Sequence, residues 1–376
     1  MSDPGLRAEL ATVGDLESLA DEWRALEESA EGSFFQSWHW MGTWLHSLPQ
    51  GIVPHIVRVV GTDRVVGLAA LVFGARRRRR LIHTYAAHLN ETGDARLDNL
   101  TVEHNGVLAK ADLRLPAQRA VTQLLLRHQP EWDEFHIGGA DDLWEAMGAG
   151  EQAPLHFRVV REKTCYSVEG LDRLPAGVDG YLGELSANTR YQIRRAMRRY
   201  EQSEGALGLA VARDREEAQL FLTSLRELHQ EYWIARGEPG CFADPFFERF
   251  HRSLIDRSFS SGAIQLVRVT AGSAVVGYLY NFLYRGTVYN YQSGFRYSSD
   301  AMLKPGLVVH ALTVAHNATA GAIRYDLLAG DQQYKRSLAT ATRPMYWVIA
   351  QRPRLRFRIE NALLAVVQTL RQKRGG

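Results

Sequence analysis

Two stretches of the chain share one pattern: IVRVVGTDRVVGLAALVF at residues 56–73 and LVRVTAGSAVVGYLYNFL at residues 266–283. They align without a gap at an offset of 210 residues and are identical at Val57, Arg58, Val59, Val65, Val66 and Gly67. Each stretch consists of two runs rich in β-branched residues around a short turn of small and polar residues, which predicts an antiparallel hairpin. The repetition favours a tandem duplication of one α/β unit.

The boundary between the two units follows from the segments on either side of it. Strand-like EFHIGG (134–139) and LHFRVVREKTCYSV (155–168) are followed by the polar stretch EGLDRLPAGVDG at 169–180. We therefore predict an N-terminal domain at 1–165 and a C-terminal domain at 166–350. Helical and strand patterns alternate through the second domain, which predicts an α/β (α+β) fold class.

The two ends of the chain are also predicted to be helical. Residues 6–30 carry apolar positions at helical spacing and predict one surface helix. The aromatic segment at 34–48 predicts a helix that belongs to the core, with a ligand platform as the alternative. The basic segment at 351–376 predicts a C-terminal helix that packs back on the body.

Composition limits the class of protein. The chain has 376 residues, 45% of them hydrophobic and 23% charged, and a formal net charge of +3. These values are typical of a globular protein with no general affinity for nucleic acid. Two cysteines without a CxxC pattern argue against a disulfide framework and a structural zinc site, and favour the cytoplasm. We expect no secretory signal and no membrane span, because the longest apolar run has about nine residues.

Several motifs that would indicate other enzymes are missing from the sequence. It contains no GxxxxGK[ST] phosphate loop, no GxSxG elbow, no HExxH and no GxGxxG after a strand. Kinase, hydrolase, zinc-protease and dinucleotide-binding functions therefore lack their usual support. The thirteen histidines are scattered, and we predict no metal site and no permanently bound cofactor.

Two groups of candidate residues lie in the segment 288–338. Lys304, Pro305 and Gly306 stand at a predicted helix start, where free N–H groups can bind an anion such as pyrophosphate; a plain Pro-Gly helix entry is the alternative. A predicted strand ends before Asp331, and strand ends in α/β sheets collect ligands. Asp331, Tyr334 and Lys335 are therefore candidates for acid–base catalysis. A polar turn with one ion pair is the alternative.

The order of these features resembles a known family. Gly294-Phe295, the Pro-Gly helix entry and YDLLAGDQQYKRSLAT at 325–340 are similar to the C-terminal unit of CelD/BcsL-type acetyltransferases, in the GCN5-related N-acetyltransferase superfamily. FFQSWHWMGTWL (34–45) and HLNETGDARLDNLTVEHNGVLA (88–109) extend the resemblance over most of residues 30–345. The chain is more distantly similar to Fem-type aminoacyl transferases, which use two such units and attach amino acids to peptidoglycan precursors.

The resemblance implies two tandem acyl-CoA N-acyltransferase-like domains, each a mixed, mostly antiparallel sheet flanked by helices. An acyl-CoA co-substrate would lie in a splayed sheet, with its pyrophosphate over the helix that starts at Lys304. The resemblance also implies that the acceptor attacks the thioester directly. Neither copy contains the usual donor loop, Gln/Arg-x-x-Gly-x-Gly/Ala. We predict that the acyl-CoA donor is bound by Lys304, Pro305, Gly306 and Arg296.

The polar segment at 90–105 is the candidate acceptor site. It has more carboxylates and amides than a connecting loop requires, although capped turns would explain them equally well. The predicted substrate-binding residues are Asn90, Glu91, Asp98, Glu103, Asn105 and, from the second domain, Tyr291.

Two arginine clusters allow two interpretations. The clusters are the run at 76–80 and the helix face formed by Arg190, Arg194, Arg195, Arg198 and Arg199. Solvated surfaces explain them in the simplest way. Recognition of phosphate groups is the alternative, since guanidinium binds phosphate bidentately. With the arginines at 352–358, transient contact with an anionic inner-membrane surface is a further alternative.

The sequence therefore predicts an acyltransferase that moves an acyl group from acyl-CoA to an amine or hydroxyl of a polar metabolite or cell-envelope saccharide precursor. Its partners would be a coenzyme A thioester and a small-molecule or saccharide acceptor. One alternative is an aminoacyl-tRNA-dependent transferase acting on peptidoglycan precursors, the only case in which nucleic acid would bind. The other is a non-catalytic binding module in envelope polysaccharide assembly.

Overall fold

The computed structural model describes residues 5–62, 64–78, 82–128, 132–144, 155–357 and 359–360. Within these ranges thirteen strands form one mixed sheet. The strands are β1 (Arg7–Thr12), β2 (Pro54–Val60), β3 (Val65–Arg78), β4 (Ile82–Leu89), β5 (Leu108–Ala109), β6 (Glu134–Ala140), β7 (His156–Glu169), β8 (Leu207–Val211), β9 (Ile264–Ala271), β10 (Ala274–Tyr284), β11 (Thr287–Phe295), β12 (Arg324–Ala329) and β13 (Ala341–Gln351).

Helices flank this sheet, which confirms the predicted α/β class. They are α1 (Leu16–Glu27), α2 (Trp38–Ser47), α3 (Arg114–Arg127), α4 (Val178–Gly183), α5 (Ala187–Ser203), α6 (Arg215–Ile234), α7 (Pro245–Ser258), α8 (Pro305–Thr319) and α9 (Gln333–Leu338). None of the described helices combines the length and the apolar character that a membrane span requires.

The strand order repeats one arrangement in the two halves of the chain. In the first half β1, β2, β3 and β4 pair antiparallel, and β6 joins β4 in parallel. In the second half β8, β9, β10 and β11 pair antiparallel, and β12 joins β11 in parallel. The hairpins β2–β3 and β9–β10 are the two stretches that the sequence repeats. Both predicted hairpins are confirmed.

The two halves are joined by exchanged strands. β13, the last strand of the second half, lies between β6 and β7. β7 in turn lies between β13 and β12. The sheet is therefore continuous through both halves. The predicted boundary near residue 165 falls inside β7, a strand that pairs with the second half on both sides.

Three sequence predictions about elements were wrong or incomplete. Residues 6–30 are not one helix, because β1 pairs with β2 before α1 begins. The segment after Asp331, interpreted as a polar turn, contains α9. Residues 341–351 form β13, a strand that the sequence analysis did not predict and that includes the first residue of the predicted helix 351–376; residues 361–376 of that helix lie outside the described part. Sheet pairing, which local periodicity does not report, decides β1 and β13.

Helix starts follow local capping chemistry. The carboxylates of Asp15, Asp214 and Asp244 accept hydrogen bonds from backbone N–H groups at the starts of α1, α6 and α7. Ser186 caps α5 in the same way. These side chains satisfy donors that a helix leaves unpaired in its first turn.

The aromatic segment at 34–48 lies in a core that both halves share, which confirms its core assignment. Phe34 stacks on Phe282 of β10 with ring centroids 4.3 Å apart. Trp40 of α2 meets Phe250 of α7 at 4.8 Å. All four side chains are fully buried. One hydrophobic core therefore holds α2 and α7 against the same face of the sheet.

Candidate functional site

A large cavity opens where two parallel strands separate. β11 and β12 pair only from Thr287 opposite Arg324 to Tyr289 opposite Asp326, and then diverge. Tyr291 of β11 is skipped in the pairing with β10, so it forms a β-bulge at this point. The cavity has a volume of about 1340 Å³ and is lined by residues from both halves of the chain.

The N-terminus of α8 lies on one wall of the cavity. Lys304, Pro305 and Gly306 all line it, and Pro305 is the first residue of the helix. No side chain caps this helix. The first-turn N–H groups and the Lys304 ammonium therefore supply positive charge to the cavity wall. Gly306 lies against the ring of Phe295, since an added Cβ would be 3.3 Å from its Cε2.

A buried acid and a buried amine lie beside the end of β12. Glu103 Oε2 accepts a hydrogen bond from the Ala329 N–H at 2.7 Å, and Lys335 Nζ donates to the Ala329 carbonyl at 2.8 Å. Burial raises the pKa of Glu103 despite the opposing effect of Lys335, and burial lowers the pKa of Lys335. Both side chains line the cavity. A carboxylate with a raised pKa is a stronger base than an ordinary exposed carboxylate.

Two tyrosines complete the inner wall. The ring of Tyr334 stacks on His310 with centroids 5.2 Å apart, and burial raises the pKa of its phenol. The Tyr291 hydroxyl donates to the Leu100 carbonyl and lies 3.2 Å from His251 Nε2. Both phenols are protonated at neutral pH, because burial also raises the pKa of Tyr291. Tyr334 can therefore donate a hydrogen bond in the cavity, whereas the single proton of the Tyr291 hydroxyl is already donated to the Leu100 carbonyl.

Two of the predicted catalytic and donor residues are not among the described residues that line the cavity. Asp331 is exposed and is absent from the described residues that line the cavity. Arg296 is likewise absent from this wall, and its guanidinium donates to the carboxylate of Glu204 and to the Val275 carbonyl. The structure brings together the other predicted catalytic and donor residues, Tyr334, Lys335, Lys304, Pro305 and Gly306.

Of the predicted acceptor residues, Glu103 and Tyr291 line the cavity. Asn90 and Asn105 are buried in a backbone-binding network instead: Asn90 donates to the Asn105 side chain, and Asn105 donates to the Leu89 carbonyl. Asp98 accepts from the backbone of Thr92 and Gly93 and so shapes a turn.

Glu91 is a partly buried acid that is not among the described residues lining the large cavity. Burial and the neighbouring Asp98 carboxylate raise the pKa of Glu91 to about 8. An added Cβ at Gly138 would lie 2.6 Å from its Oε2, so the carboxyl group fits closely against β6.

Sequence reasoning included His104 in the polar segment at 90–105 but did not predict the charged cluster that is centred on it. Its Nδ1 lies 2.6 Å from Asp141 Oδ1 and its Nε2 lies 3.3 Å from Asp326 Oδ2. Burial alone would lower the pKa of His104, but the two carboxylates outweigh it and hold the pKa well above 6.5. The cluster borders a second, smaller cavity of about 290 Å³. The signal in the sequence was one histidine among many turn-forming residues.

Cys165 and Arg343 complete this cluster. The ligand atoms of His104, Cys165 and Asp326 all lie within 4.8 Å of one another, a spacing that can hold a metal ion. Arg343 Nη2, however, lies 3.2 Å from Asp326 Oδ2 and 3.0 Å from His104 Nδ1. A guanidinium therefore already supplies positive charge at these ligand atoms.

The arginine face of α5 is partly neutralised. Arg194 pairs with Asp179 at 2.7 Å and Arg199 pairs with Asp300 at 2.9 Å. None of the five α5 arginines is among the described residues that line the large cavity. Arg79, Arg80 and Arg358 of the other basic segments lie outside the described residues.

Comparisons with known proteins agree with this geometry. Residues 187–336 match the family described as Acetyltransferase (GNAT) domain. This segment runs from the start of α5 into α9 and contains β11, β12 and the whole of α8. The match therefore covers the second-half wall of the cavity. The sequence matches none of the curated proteins with which it was compared.

Solved structures share the fold over nearly the whole chain. The crystal structure of FemX is similar with a TM-score of 0.56 and 11% identity, covering 91% of this chain and 96% of that chain. A conserved protein of unknown function from Bacteroides thetaiotaomicron is similar with a TM-score of 0.57 and 10% identity, covering 92% and 100%. At such low identity these similarities show the fold alone. Residues 187–336 match an acetyltransferase domain of the GNAT type, and this match indicates that the chain is an acyltransferase.

Proposed function

We propose that this protein transfers an acyl group from acyl-CoA to an amine or hydroxyl of a polar metabolite or cell-envelope saccharide precursor, as a CelD/BcsL-type enzyme. One observation carries the proposal. The cavity joins an uncapped helix N-terminus, a split between parallel strands and a buried carboxylate in a single space. We place the protein in the cytoplasm, a location that its two free cysteines support.

The donor site follows from charge and shape. The pyrophosphate would lie over the first turn of α8, where N–H groups and Lys304 offer positive charge. The pantetheine arm would enter the split between β11 and β12, because unpaired backbone groups of diverging strands can hydrogen-bond its amides. The thioester would then reach the bulge at Tyr291.

The acid–base roles follow from burial and hydrogen bonding. We assign the general base to Glu103, because its carboxylate lines the cavity and burial raises its pKa, which makes it a stronger base. Tyr334, a protonated phenol on the same wall, would donate to the departing thiolate. Lys335 would act as the cationic partner of the Glu103 carboxylate. Its hydrogen bond to the Ala329 carbonyl would also fix the end of β12. Asp331, exposed at the next turn, would contribute little.

We also propose that the two halves of the chain bind different substrates. The second half would bind the donor, and the first half, domain 1–165, would form the acceptor wall. Arg96, Asn99, Thr101 and Glu103 support this, because they are the residues of the first half that line the cavity.

Donor binding is tested with Lys304→Glu. Calorimetry of the purified chain with acetyl-, succinyl- and long-chain acyl-CoA should show saturable binding. Lys304→Glu places a negative charge at the helix start and should weaken binding by about tenfold or more. Arg194→Glu, on the exposed face of α5, is the matched control and should bind normally. A wild-type chain that binds no CoA species would favour the aminoacyl-tRNA-dependent or non-catalytic alternatives.

The assignment of the base is tested with a pair of isosteric variants. Glu103→Gln should lower kcat by about 10²–10⁴-fold, the usual contribution of a positioned base. Asp331→Asn should leave kcat within about twofold, since its side chain is exposed. A large loss of kcat in Asp331→Asn, with little change in Glu103→Gln, would instead assign the general base to Asp331.

A further inference from the structure

Each half of the chain contains the same kind of split between two parallel strands. In the second half β11 and β12 pair over three residues and then diverge at the large cavity. In the first half β4 and β6 also pair over three residues, from Ala86 opposite Glu134 to His88 opposite His136, and then diverge. The proposed function places the donor in the second-half split and assigns no role to the first-half split.

The first-half split is filled by a segment of the chain itself, residues 102–106. The Asn105 N–H donates to the Gly139 carbonyl of β6 at 2.9 Å, and Asn105 Nδ2 donates to the Leu89 carbonyl of β4 at 2.9 Å. A parallel bridge between Asn105 and Ala140 adds to this contact. Asn105 therefore occupies backbone groups of both diverging strands, the kind of group that the amides of a bound donor would need.

A second asparagine holds Asn105 in this position. Asn90 Oδ1 accepts from the Ala70 N–H of β3 at 2.8 Å, a donor that fixes the orientation of the Asn90 amide. Asn90 Nδ2 then donates to Asn105 Oδ1 at 2.8 Å and to the Gly106 carbonyl at 2.9 Å. Both asparagines are buried. Their amide oxygens and nitrogens all have hydrogen-bond partners within the chain, so the split is closed without a ligand.

The segment lies so close to β6 that position 139 requires glycine. Gly139 has φ +66°, and an added Cβ would lie 2.5 Å from the Val102 carbonyl oxygen and 3.2 Å from Glu103 Cα. A side chain at this position would push residues 102–103 away from β6. The first-half split is therefore shaped to hold this segment.

The same segment also bonds to the split of the second half. Gly139 and Ala329 hold corresponding positions, since each lies three residues after the last paired residue of its split. The Gly139 carbonyl accepts from the Asn105 N–H, and the Ala329 N–H donates to Glu103 Oε2. Asn105 thus anchors in the first half the segment that presents Glu103 to the second half.

Building on the proposed acyl-CoA site in the second half, we propose that residues 102–106 take the place of a donor in the first half, so that the chain binds one acyl-CoA, and that Asn105 positions Glu103 for catalysis. Asn105 is not among the described residues that line the large cavity. It acts on the reaction through the backbone, because it fixes the chain two residues after Glu103.

The closure of the first-half split is tested by counting bound donors. Calorimetry of the full chain with acetyl-CoA should give one site per chain. Lys304→Glu, which weakens the second-half site, should leave no other site of wild-type affinity. Two sites per chain would show that the first-half split also takes a donor, and would overturn the inference.

The positioning role is tested by hydrogen exchange of Asn105→Ala. Glu103 protects the Ala329 N–H, so release of the segment should speed exchange at this amide. The increase should exceed any increase at the buried Leu279 of β10 by about tenfold or more, because a variant that merely unfolds more often would speed both amides alike. Asn188→Ala, at an exposed position of α5, is the matched control and should change neither amide.

The catalytic consequence is measured with acetyl-CoA and with glucosamine as the probe amine. A displacement of about 1 Å can cost about a hundredfold in rate. In Asn105→Ala we expect kcat to fall by about tenfold to a hundredfold, while the Kd of acetyl-CoA stays within about twofold. Asn90→Ala should show the same separation of kcat from Kd. The double variant should lose no more than the worse single variant, since the two asparagines act as one unit.

Two further results would overturn the positioning role. One is wild-type kcat in Asn105→Ala, and the other is equal acceleration of exchange at Ala329 and Leu279. A wild-type chain that binds no acyl-CoA would instead reject the proposed function. The exchange measurement needs neither substrate, so it would still decide whether Asn105 holds Glu103 against β12.

Discussion

His104 connects the two halves of the chain through its two ring nitrogens. One faces Asp141 of the first half and the other faces Asp326 of β12, while Arg343 and Cys165 also contact the ring. His104 itself has φ +51°, a left-handed conformation that costs energy for a residue with a side chain. The ion pairs hold it there, directly after Glu103. His104 therefore positions the carboxylate that lines the cavity.

The protonation of His104 makes stability depend on pH. Its folded pKa lies well above the ordinary value of 6.5, so its contribution is complete below pH 6.5 and is lost as the pH rises through the folded pKa. The pKa of Asp326 is held below 3.8, so its contribution is complete above that pH and is lost on acidification. The cluster therefore stabilises the folded state most between pH 3.8 and pH 6.5, where both contributions are complete.

The corresponding prediction concerns His104→Asn. Removing the buried cation should lower the free energy of unfolding by about 3 kcal/mol near pH 6, because two buried carboxylates lose a partner. The variant should also lack the wild-type decline in stability above pH 6.5. Urea denaturation at a series of pH values measures both effects. An unchanged difference between the two proteins from pH 6 to pH 9 would contradict the ionised state of His104.

At the scale of elements, a ladder of buried amides joins three strands to α8. Asn290 of β11 donates to Asn281 of β10 at 2.9 Å, and Asn281 donates to Gln265 of β9 at 2.8 Å. Gln265 donates to Asn317 of α8 at 2.9 Å. All four side chains are buried. The ladder therefore fixes the register of the strands and the orientation of the helix whose N-terminus faces the cavity.

Breaking this ladder should be costly. Asn281→Ala leaves the Asn290 amide without its buried partner, and we expect a loss of about 2 kcal/mol in the free energy of unfolding. Asn188→Ala, at an exposed position of α5, should change it by less than about 0.5 kcal/mol. Denaturant titration of both variants compares them directly. Equal effects would mean that the amides of the ladder are satisfied in another way.

Elements with a complete local pattern could be predicted from the sequence. The hairpins β2–β3 and β9–β10 carry two β-branched runs and a turn, and α5 carries a serine cap and a helical face. β1 and β13 lacked such a pattern. β1 is an edge strand that is defined by its pairing with β2, and β13 is defined by insertion between β6 and β7. Both depend on a neighbour that is distant in sequence.

At the scale of the whole molecule, the exchanged strands make the two halves one folding unit. Ile349 of β13 pairs with His136 of β6 on one side and with Arg158 of β7 on the other. Unfolding of either half would leave backbone hydrogen-bonding groups of the other half's strands unpaired. The shared core between α2 and α7 adds to this coupling.

This coupling predicts a single unfolding transition. Six of the eight tryptophans lie before residue 145, so fluorescence reports mainly on the first half, whereas much of the helical signal comes from α5 to α8. The two signals should change at the same denaturant concentration. Ile349→Pro removes a backbone N–H that pairs β13 with a neighbouring strand. It should lower the denaturation midpoints of both signals together. Separate midpoints would show that the halves fold independently.

The sequence by itself determined the duplicated hairpins, the α/β class and the Pro-Gly start of α8, because these depend on periodicity and turn chemistry within a few residues. It also identified Glu103 as a candidate for acceptor binding and Asp331, Tyr334 and Lys335 as candidates for acid–base catalysis. Only the tertiary structure decided which of them meet. Glu103 bonds to a backbone group 226 residues away, and that contact exists because the order of strands in the sheet brings the two segments together.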